Sequence, residues 1–198
     1  MARPVLFLLG MHAGGLPAVA APLAAAGADF GKVVTPTIGD GEAATACARL
    51  AALSDEALRR VGIAWDSPTG LPERVEQDEA LAALAPIAAD AVAHEFTGPA
   101  AVVAEPRVGR LLPFWREAFE QNGYDVTVAL VLRRPREVAA ALARHAQFAP
   151  EKSLALWHYY LLEAERGSRG LPRALLTLDL WHDDPAAAMA RIANDAAF

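Results

Sequence analysis

The chain has 198 residues, a formal net charge of −6 and a hydrophobic fraction of 54%. This length is typical of one domain with a substantial core, and the acidic balance argues against a general nucleic-acid binder. The single cysteine, Cys47, excludes a disulfide framework and a cysteine-based metal site. Glycine, proline and charged residues interrupt every apolar run, so the sequence predicts no membrane-spanning helix.

The first element is an apolar strand, Val5 to Leu9, that runs into a glycine-containing loop and an alanine-rich segment. Strand, glycine loop and helix form an arrangement that α/β proteins use to hold a phosphate at the helix N-terminus. The same segment has features of a secretory signal. Because Gly10 and His12 break its apolar run, we expect it to be the first strand of a cytoplasmic protein.

Proline and glycine positions delimit the elements of the first half. They predict a helix over 17–26, a surface loop over 31–41, helices over 42–53 and 55–61, a turn-rich loop over 65–70 and a long helix over 72–94. Three details carry a specific expectation. Pro22 either kinks the first helix or moves its start to Ala21, and Ser54 caps the helix over 55–61. Pro86 is expected to bend the long helix.

The second half alternates strands with helices. It predicts strands over 100–104, 126–132 and 173–178, and helices over 111–122, 135–145, 150–166 and 185–192. The segment VTVALVL is apolar on both faces, as expected of a central parallel strand. Alternation of this kind predicts a single α/β domain spanning 1–198, with three αβα layers around a short central parallel sheet.

Gly10 and Gly15 have the Gly-x-x-x-x-Gly spacing of a P-loop. The next two positions of the motif, a lysine and a serine or threonine, are Leu16 and Pro17 here. The loop therefore has the outline of a phosphate cradle without the side chains that usually grip the phosphate.

Ligands of open α/β sheets bind beyond the carboxyl ends of the strands. The predicted strand ends carry His12, Glu105, Arg107 and Arg133. His12 is a candidate acid or base, and the alternative is that it caps a helix or faces solvent. Glu105 is a candidate base or ligand, and the alternative is an ion pair with Arg107. Arginines at strand ends also commonly pair with carboxylates of neighbouring helices.

Four segments together resemble bacterial sulfotransferase-like proteins, which use 3′-phosphoadenosine 5′-phosphosulfate (PAPS) as sulfuryl donor. These segments are GMHAGG, EPR followed by LLPFW, VLRRPREVAAAL, and LALWHYYLLEAERGSRGLPR. The resemblance implies a P-loop-like fold. It also implies donor binding by Gly10, Met11, Gly14, Gly15, Arg107 and Arg133, with His12 or Glu105 as the catalytic base. Separately, no histidine–glutamate spacing in the sequence suggests a metal site. The acceptor would be the hydroxyl of a small molecule or carbohydrate.

The chain departs from this family where the donor binds. The family's first loop usually reads Gly-Met-His-Arg-Ser-Gly-Thr-Ser, and this chain has Ala13, Gly14, Leu16 and Pro17 at the basic and hydroxyl positions. Three hypotheses follow. The favoured one is a diverged or non-catalytic member with weakened or lost PAPS binding. The others are an active sulfotransferase and a different nucleotide- or phosphate-binding P-loop-like protein. The oligomeric state stays open.

Overall fold

A computed structural model describes residues 2–32, 46–72, 75 and 78–198. Four strands are present in these ranges: β1 (Arg3–Leu9), β2 (Ala101–Val103), β3 (Tyr124–Leu132) and β4 (Arg173–Thr177). The helices are α1 (Leu16–Ala25), α2 (Ala48–Arg60), α3 (Glu79–Ala82), α4 (Ala85–Glu95), α5 (Pro106–Arg110), α6 (Leu112–Gln121), α7 (Pro135–Ala146), α8 (Pro150–Gly167), α9 (Leu178–Asp183) and α10 (Pro185–Asp195). None of these helices is long and apolar enough to cross a membrane.

The strands form one parallel sheet in the order β2-β1-β3-β4. Alternate residues of β1 point to its two faces: Phe7 packs edge-on against Phe119 of α6, 5.1 Å between ring centroids. Leu6 and Leu8 pack on the other face in a core that includes residues of α1 and α10. Helices therefore cover both faces of the sheet, which confirms the predicted α/β fold.

The order of the strands places a crevice at a defined point. The chain leaves β1 toward β2 at one edge and then returns to the other side of β1 to form β3. The carboxyl ends of β1 and β3 are therefore neighbours at the switch point of the sheet, where open α/β sheets bind their ligands.

Two of the predicted helices of the first half are wrong in their bounds. The helices over 42–53 and 55–61 are one helix, α2. Residues 42–45 lie outside the described ranges, as does most of the loop predicted over 31–41. Ser54 does not cap a helix; it is buried inside α2 and its hydroxyl accepts a hydrogen bond from Trp115 Nε1 at 2.9 Å. A tertiary partner therefore satisfies a side chain that local rules assign to a cap.

The long helix predicted over 72–94 is also wrong, because α3 and α4 replace it. Asp78 caps α3 by accepting the N–H of Ala80, and Pro86 lies in the first turn of α4, where proline is tolerated. Pro22 lies inside α1, which begins at Leu16, and is itself exposed to solvent. Two short helices, α5 and α9, were not predicted.

Candidate functional site

The loop over 10–15 joins β1 to α1 at the carboxyl end of β1, where the sequence predicts the donor cradle. It closes in a tight turn in which the N–H of Gly14 donates to the carbonyl oxygen of Met11 at 2.8 Å. Ala13 and Gly15 adopt left-handed backbone conformations, with φ of 60° and 88°. One of the backbone donors that an anion cradle needs is therefore used inside the loop itself.

The two positions after the loop bury apolar groups. Leu16 is 3% exposed and packs in the core beside the sheet, and a Cβ atom built on Gly10 of the loop would lie 3.1 Å from Leu16 Cδ2. Pro17 lies in the first turn of α1 and has no N–H to offer. The structure therefore supplies neither a cation nor a hydroxyl at the two positions that follow the glycines.

Gly14 cannot carry the serine that the family usually has here. A Cβ atom built on Gly14 would lie 2.5 Å from the carbonyl oxygen of Met11, and backbone at both ends leaves little room to move. We expect Gly14→Ser to lower the free energy of unfolding by about 1–3 kcal/mol, measured by urea denaturation. The control is Gly109→Ala, where a Cβ would meet its nearest neighbour at 3.6 Å. Equal stability of Gly14→Ser and the wild type would show that the loop is not this tight.

Arg133 follows β3 and is held against the loop. Its guanidinium donates to the carbonyl oxygen of Ala13 at 3.0 Å and to Glu137 at 3.2 Å. Trp157 of α8 donates in turn to the backbone carbonyl of Arg133 at 3.1 Å. The structure thus brings Arg133 to the predicted place, but its donors are directed to protein acceptors.

A small cleft lies at the switch point, between the loop over 10–15 and the α7–α8 pair. Gly10, Met11 and Gly14 line one side of it, and Arg133 and Trp157 line the other. The cleft has space for about one water molecule. It is therefore far smaller than the several hundred Å³ of a typical pocket for a nucleotide-sized ligand.

Glu105 and Arg107 form the second predicted element of the site. Glu105 is 3% exposed and caps α5, and one of its carboxylate oxygens lies 2.5 Å from Nη1 of Arg107. The Nε atom of Arg107 lies 2.6 Å from Asp55 Oδ1 on α2. Burial raises the pKa of Glu105 against the opposing effect of Arg107. The ion-pair interpretation of Glu105 is confirmed, and two carboxylates neutralise the Arg107 cation.

His12 lies beneath aromatic side chains rather than in solvent. It is 6% exposed, and its ring centroid lies 4.5 Å from that of Trp65 and 5.9 Å from that of Tyr160. Burial, followed by the charge of Arg107, lowers the pKa of His12 to about 3. The imidazole is therefore neutral at physiological pH, with one donor and one acceptor nitrogen.

A segment over 64–71, which we call the strap, carries Trp65 across His12. Arg110 is fully buried and donates to three carbonyl oxygens of the strap, the shortest contact being 2.6 Å to Thr69. Its Nε donates to Glu163 of α8 at 2.6 Å, and Glu163 also accepts the N–H of Leu71 at 2.6 Å. This buried ion pair ties the strap to the helices beneath it.

Two further contacts fix the front of the strap. The hydroxyl of Tyr160 donates to the carbonyl oxygen of Trp65 at 2.9 Å, and Lys152 pairs with Asp66 at 2.7 Å. Sequence reasoning missed Arg110, Glu163 and the role of Tyr160. The only signal in the sequence is the aromatic stretch Trp157 to Tyr160, which by itself favours helix packing.

No group of three or more histidine, cysteine, aspartate or glutamate side chains in the described ranges is arranged to hold a metal ion.

Comparison with known proteins supports the fold. No protein-family model matches the chain, and no curated protein sequence matches it. Among solved structures, it is similar to a sulfotransferase domain from the curacin biosynthetic pathway, with a TM-score of 0.53 and 13% sequence identity. The match covers 97% of this chain and 73% of that domain. The chain therefore has a sulfotransferase-like fold.

Proposed function

We propose that the chain is a sulfotransferase-like protein whose PAPS site is weakened or lost, so that it acts as a diverged or non-catalytic member of that fold. The observation that carries the proposal is the loop over 10–15 and the start of α1. The N–H of Gly14 donates to the carbonyl oxygen of Met11, the side chain of Leu16 is buried in the core, and Pro17 has no N–H. These residues do not fit a bound phosphosulfate.

The remaining cations support the same proposal. Arg107 is paired with Glu105 and Asp55, and Arg133 contacts Glu137 and the loop backbone. An incoming anion would have to compete with carboxylates that already hold these guanidinium groups. Competition of this kind removes much of the charge-assisted binding that a donor phosphate would otherwise gain.

An active PAPS-dependent sulfotransferase is the second candidate. The neutral imidazole of His12, with an unpartnered Nε2, and the buried carboxyl of Glu105 are the groups that favour it, because either could accept a proton from a hydroxyl. A kinase-like phosphate binder ranks last, since it needs a lysine and a metal-binding hydroxyl where Leu16 and Pro17 stand.

A gain-of-binding experiment tests the proposal. The triple variant Ala13→Arg, Leu16→Thr, Pro17→Ser restores the cation and two of the hydroxyls, and leaves Gly14 in its tight turn. By calorimetry with adenosine 3′,5′-bisphosphate, we expect no heat from the wild type at millimolar ligand. The variant should bind at least about 100-fold more tightly, because charge-assisted hydrogen bonds contribute about 1.5–3 kcal/mol each.

The matched control is Ala25→Arg, which adds the same charge at the exposed far end of α1 and should leave the wild-type result unchanged. Micromolar binding by the wild type would overturn the proposal in favour of an active enzyme. A triple variant that still fails to bind would show that the loop does not correspond to the family's donor loop.

A further inference from the structure

Strand β4 leaves one edge of the sheet open. Strand β3 pairs with one side of β4, and no strand in the described ranges pairs with its other side. Along a parallel strand, alternate residues turn their backbone groups toward opposite neighbours. The carbonyl oxygen of Pro172 accepts the N–H of Val128 of β3 at 3.0 Å, so the even-numbered residues of β4 face β3. The N–H and C=O groups of Arg173, Leu175 and Thr177 therefore lie along the open edge.

This edge is only loosely protected. Arg191 of α10 donates to the carbonyl oxygen of Leu175 at 3.4 Å, which is longer than an ordinary hydrogen bond. The side chain of Leu175 is 49% exposed, the largest exposed fraction of the large apolar side chains in the described ranges. Open edges of this kind are templates for pairing with another strand. The N–H of an added strand can replace the guanidinium of Arg191 at this carbonyl with little loss.

The surroundings of the edge are positively charged. The segment 166–173, which leads into β4, contains three arginines and no carboxylate. Glu165 pairs with two of them, Arg169 at 2.8 Å and Arg173 at 3.4 Å, and Arg191 adds a further cation beside Leu175. One carboxylate is thus shared among several guanidinium groups. This part of the surface is complementary to a negatively charged partner.

The same charges argue against a second copy of this chain as the partner. A pairing of two β4 edges centred on Leu175 would be antiparallel, with the two Leu175 residues opposite each other. Each copy carries Arg191 on its own Leu175 carbonyl, so two guanidinium groups would meet near the symmetry axis and repel each other. An acidic partner has no such conflict.

The side chains along the edge define a pattern in the partner. Arg173 and Leu175 point to the same face of the sheet, because side chains alternate along a strand. The residues opposite them on an added strand are also two positions apart. An acidic residue would pair with Arg173, and an apolar residue would cover Leu175.

We propose that the open edge of β4 binds an extended acidic peptide as a further strand of the sheet. The peptide carries an acidic residue opposite Arg173 and an apolar residue two positions away, opposite Leu175. Backbone hydrogen bonds to the edge hold the peptide, and the two side chains select it. The inference does not depend on whether the chain binds PAPS.

The test is fluorescence anisotropy of labelled peptides titrated with the full chain. The acidic probe is Thr-Glu-Thr-Val-Thr-Glu-Thr, which has the same pattern in both directions and so allows parallel and antiparallel addition. One comparison peptide has lysine in place of each glutamate, and the other has proline in place of each threonine. We expect the acidic probe to bind about tenfold more tightly than either, since lysine reverses the charge pairs and proline removes backbone donors.

A charge-reversal variant separates binding at this edge from general attraction. Arg173→Glu should bind the lysine peptide more tightly than the acidic probe. The matched control, Arg59→Glu at an exposed position on α2, should keep the preference of the wild type. In the wild type, the amide signal of Leu175 should shift and exchange more slowly with solvent when the acidic probe is bound.

Equal affinity of the wild type for the acidic and lysine peptides would overturn the inference, as would equal affinity for the proline peptide or no binding at millimolar concentration. A dimer of the chain without peptide, detected by sedimentation and dissociated by Leu175→Asp, would also overturn it, because a second copy would then cover the edge.

Discussion

Replacing Glu163 by glutamine is expected to lower the free energy of unfolding by about 3–5 kcal/mol. Arg110 is fully buried and Glu163 is 8% exposed, with Arg110 Nε 2.6 Å from the carboxylate. The glutamine keeps the shape of the side chain but leaves a buried guanidinium without its counter-charge. Because Arg110 also donates to three carbonyl oxygens of the strap, the replacement should destabilise the whole segment over 64–71. Urea denaturation measures the change.

The matched control lies on the same helix. Glu165 pairs with Arg169 and Arg173 at the protein surface, where water already solvates the charges. Glu165→Gln should therefore leave the unfolding midpoint close to that of the wild type. If both variants lose the same small amount, the Arg110–Glu163 pair is not the anchor of the strap.

Acidification gives the second large effect. We expect His12 to remove about 3 kcal/mol of folding stability between pH 7 and about pH 4. Its pKa is about 3 in the folded chain and 6.5 in the unfolded chain, so the unfolded state takes up the proton first. Stability therefore falls as the pH drops below 6.5, and this loss is complete near pH 3. Denaturation at a series of pH values measures it.

The pH dependence of the wild type's free energy of unfolding must be compared with that of His12→Phe, because other groups titrate in the same pH range. Burial raises the pKa of Glu105, which acts in the opposite direction and increases stability as the pH falls. The difference between wild type and His12→Phe isolates the histidine. His158→Gln, at an exposed position on α8, is the control for replacing a histidine and should leave the free energy of unfolding at pH 7 close to that of the wild type. A wild-type profile parallel to that of His12→Phe would mean that His12 is not buried as described.

The sheet could be predicted from the sequence because its strands are short apolar runs bounded by glycine and proline. Val5 to Leu9 and 126–132 were placed correctly as buried strands, and 173–178 extends one residue beyond β4. The ends of the helices could be predicted less well than the strands, because tertiary contacts decide where these helices begin and end. Ser54 shows this: local rules favour a cap, but a partner 61 residues away, Trp115, satisfies it inside α2.

The candidate site, too, could be predicted from the sequence only where its residues are close together in the chain. Motif spacing placed the loop over 10–15 at the end of β1, and an ion pair with Arg107 was one of the two interpretations of Glu105. Both features depend on residues that are close in the sequence. The clamp of Arg110 on Glu163 joins residues 53 apart in the chain, and neither residue belongs to a local pattern. The cover of Trp65 on His12 was hidden for the same reason, so the sequence could not reveal that this histidine is buried.

The most direct test of the account follows the backbone amide signals of residues 10–16 by NMR while PAPS is added to the wild-type chain at millimolar concentration. We expect no saturable shift at Gly14 or Gly15, because the N–H of Gly14 already donates to Met11 and because Leu16 and Pro17 offer neither a cation nor a hydroxyl. Saturable shifts of these amides at micromolar PAPS would contradict it and show that the donor site is intact.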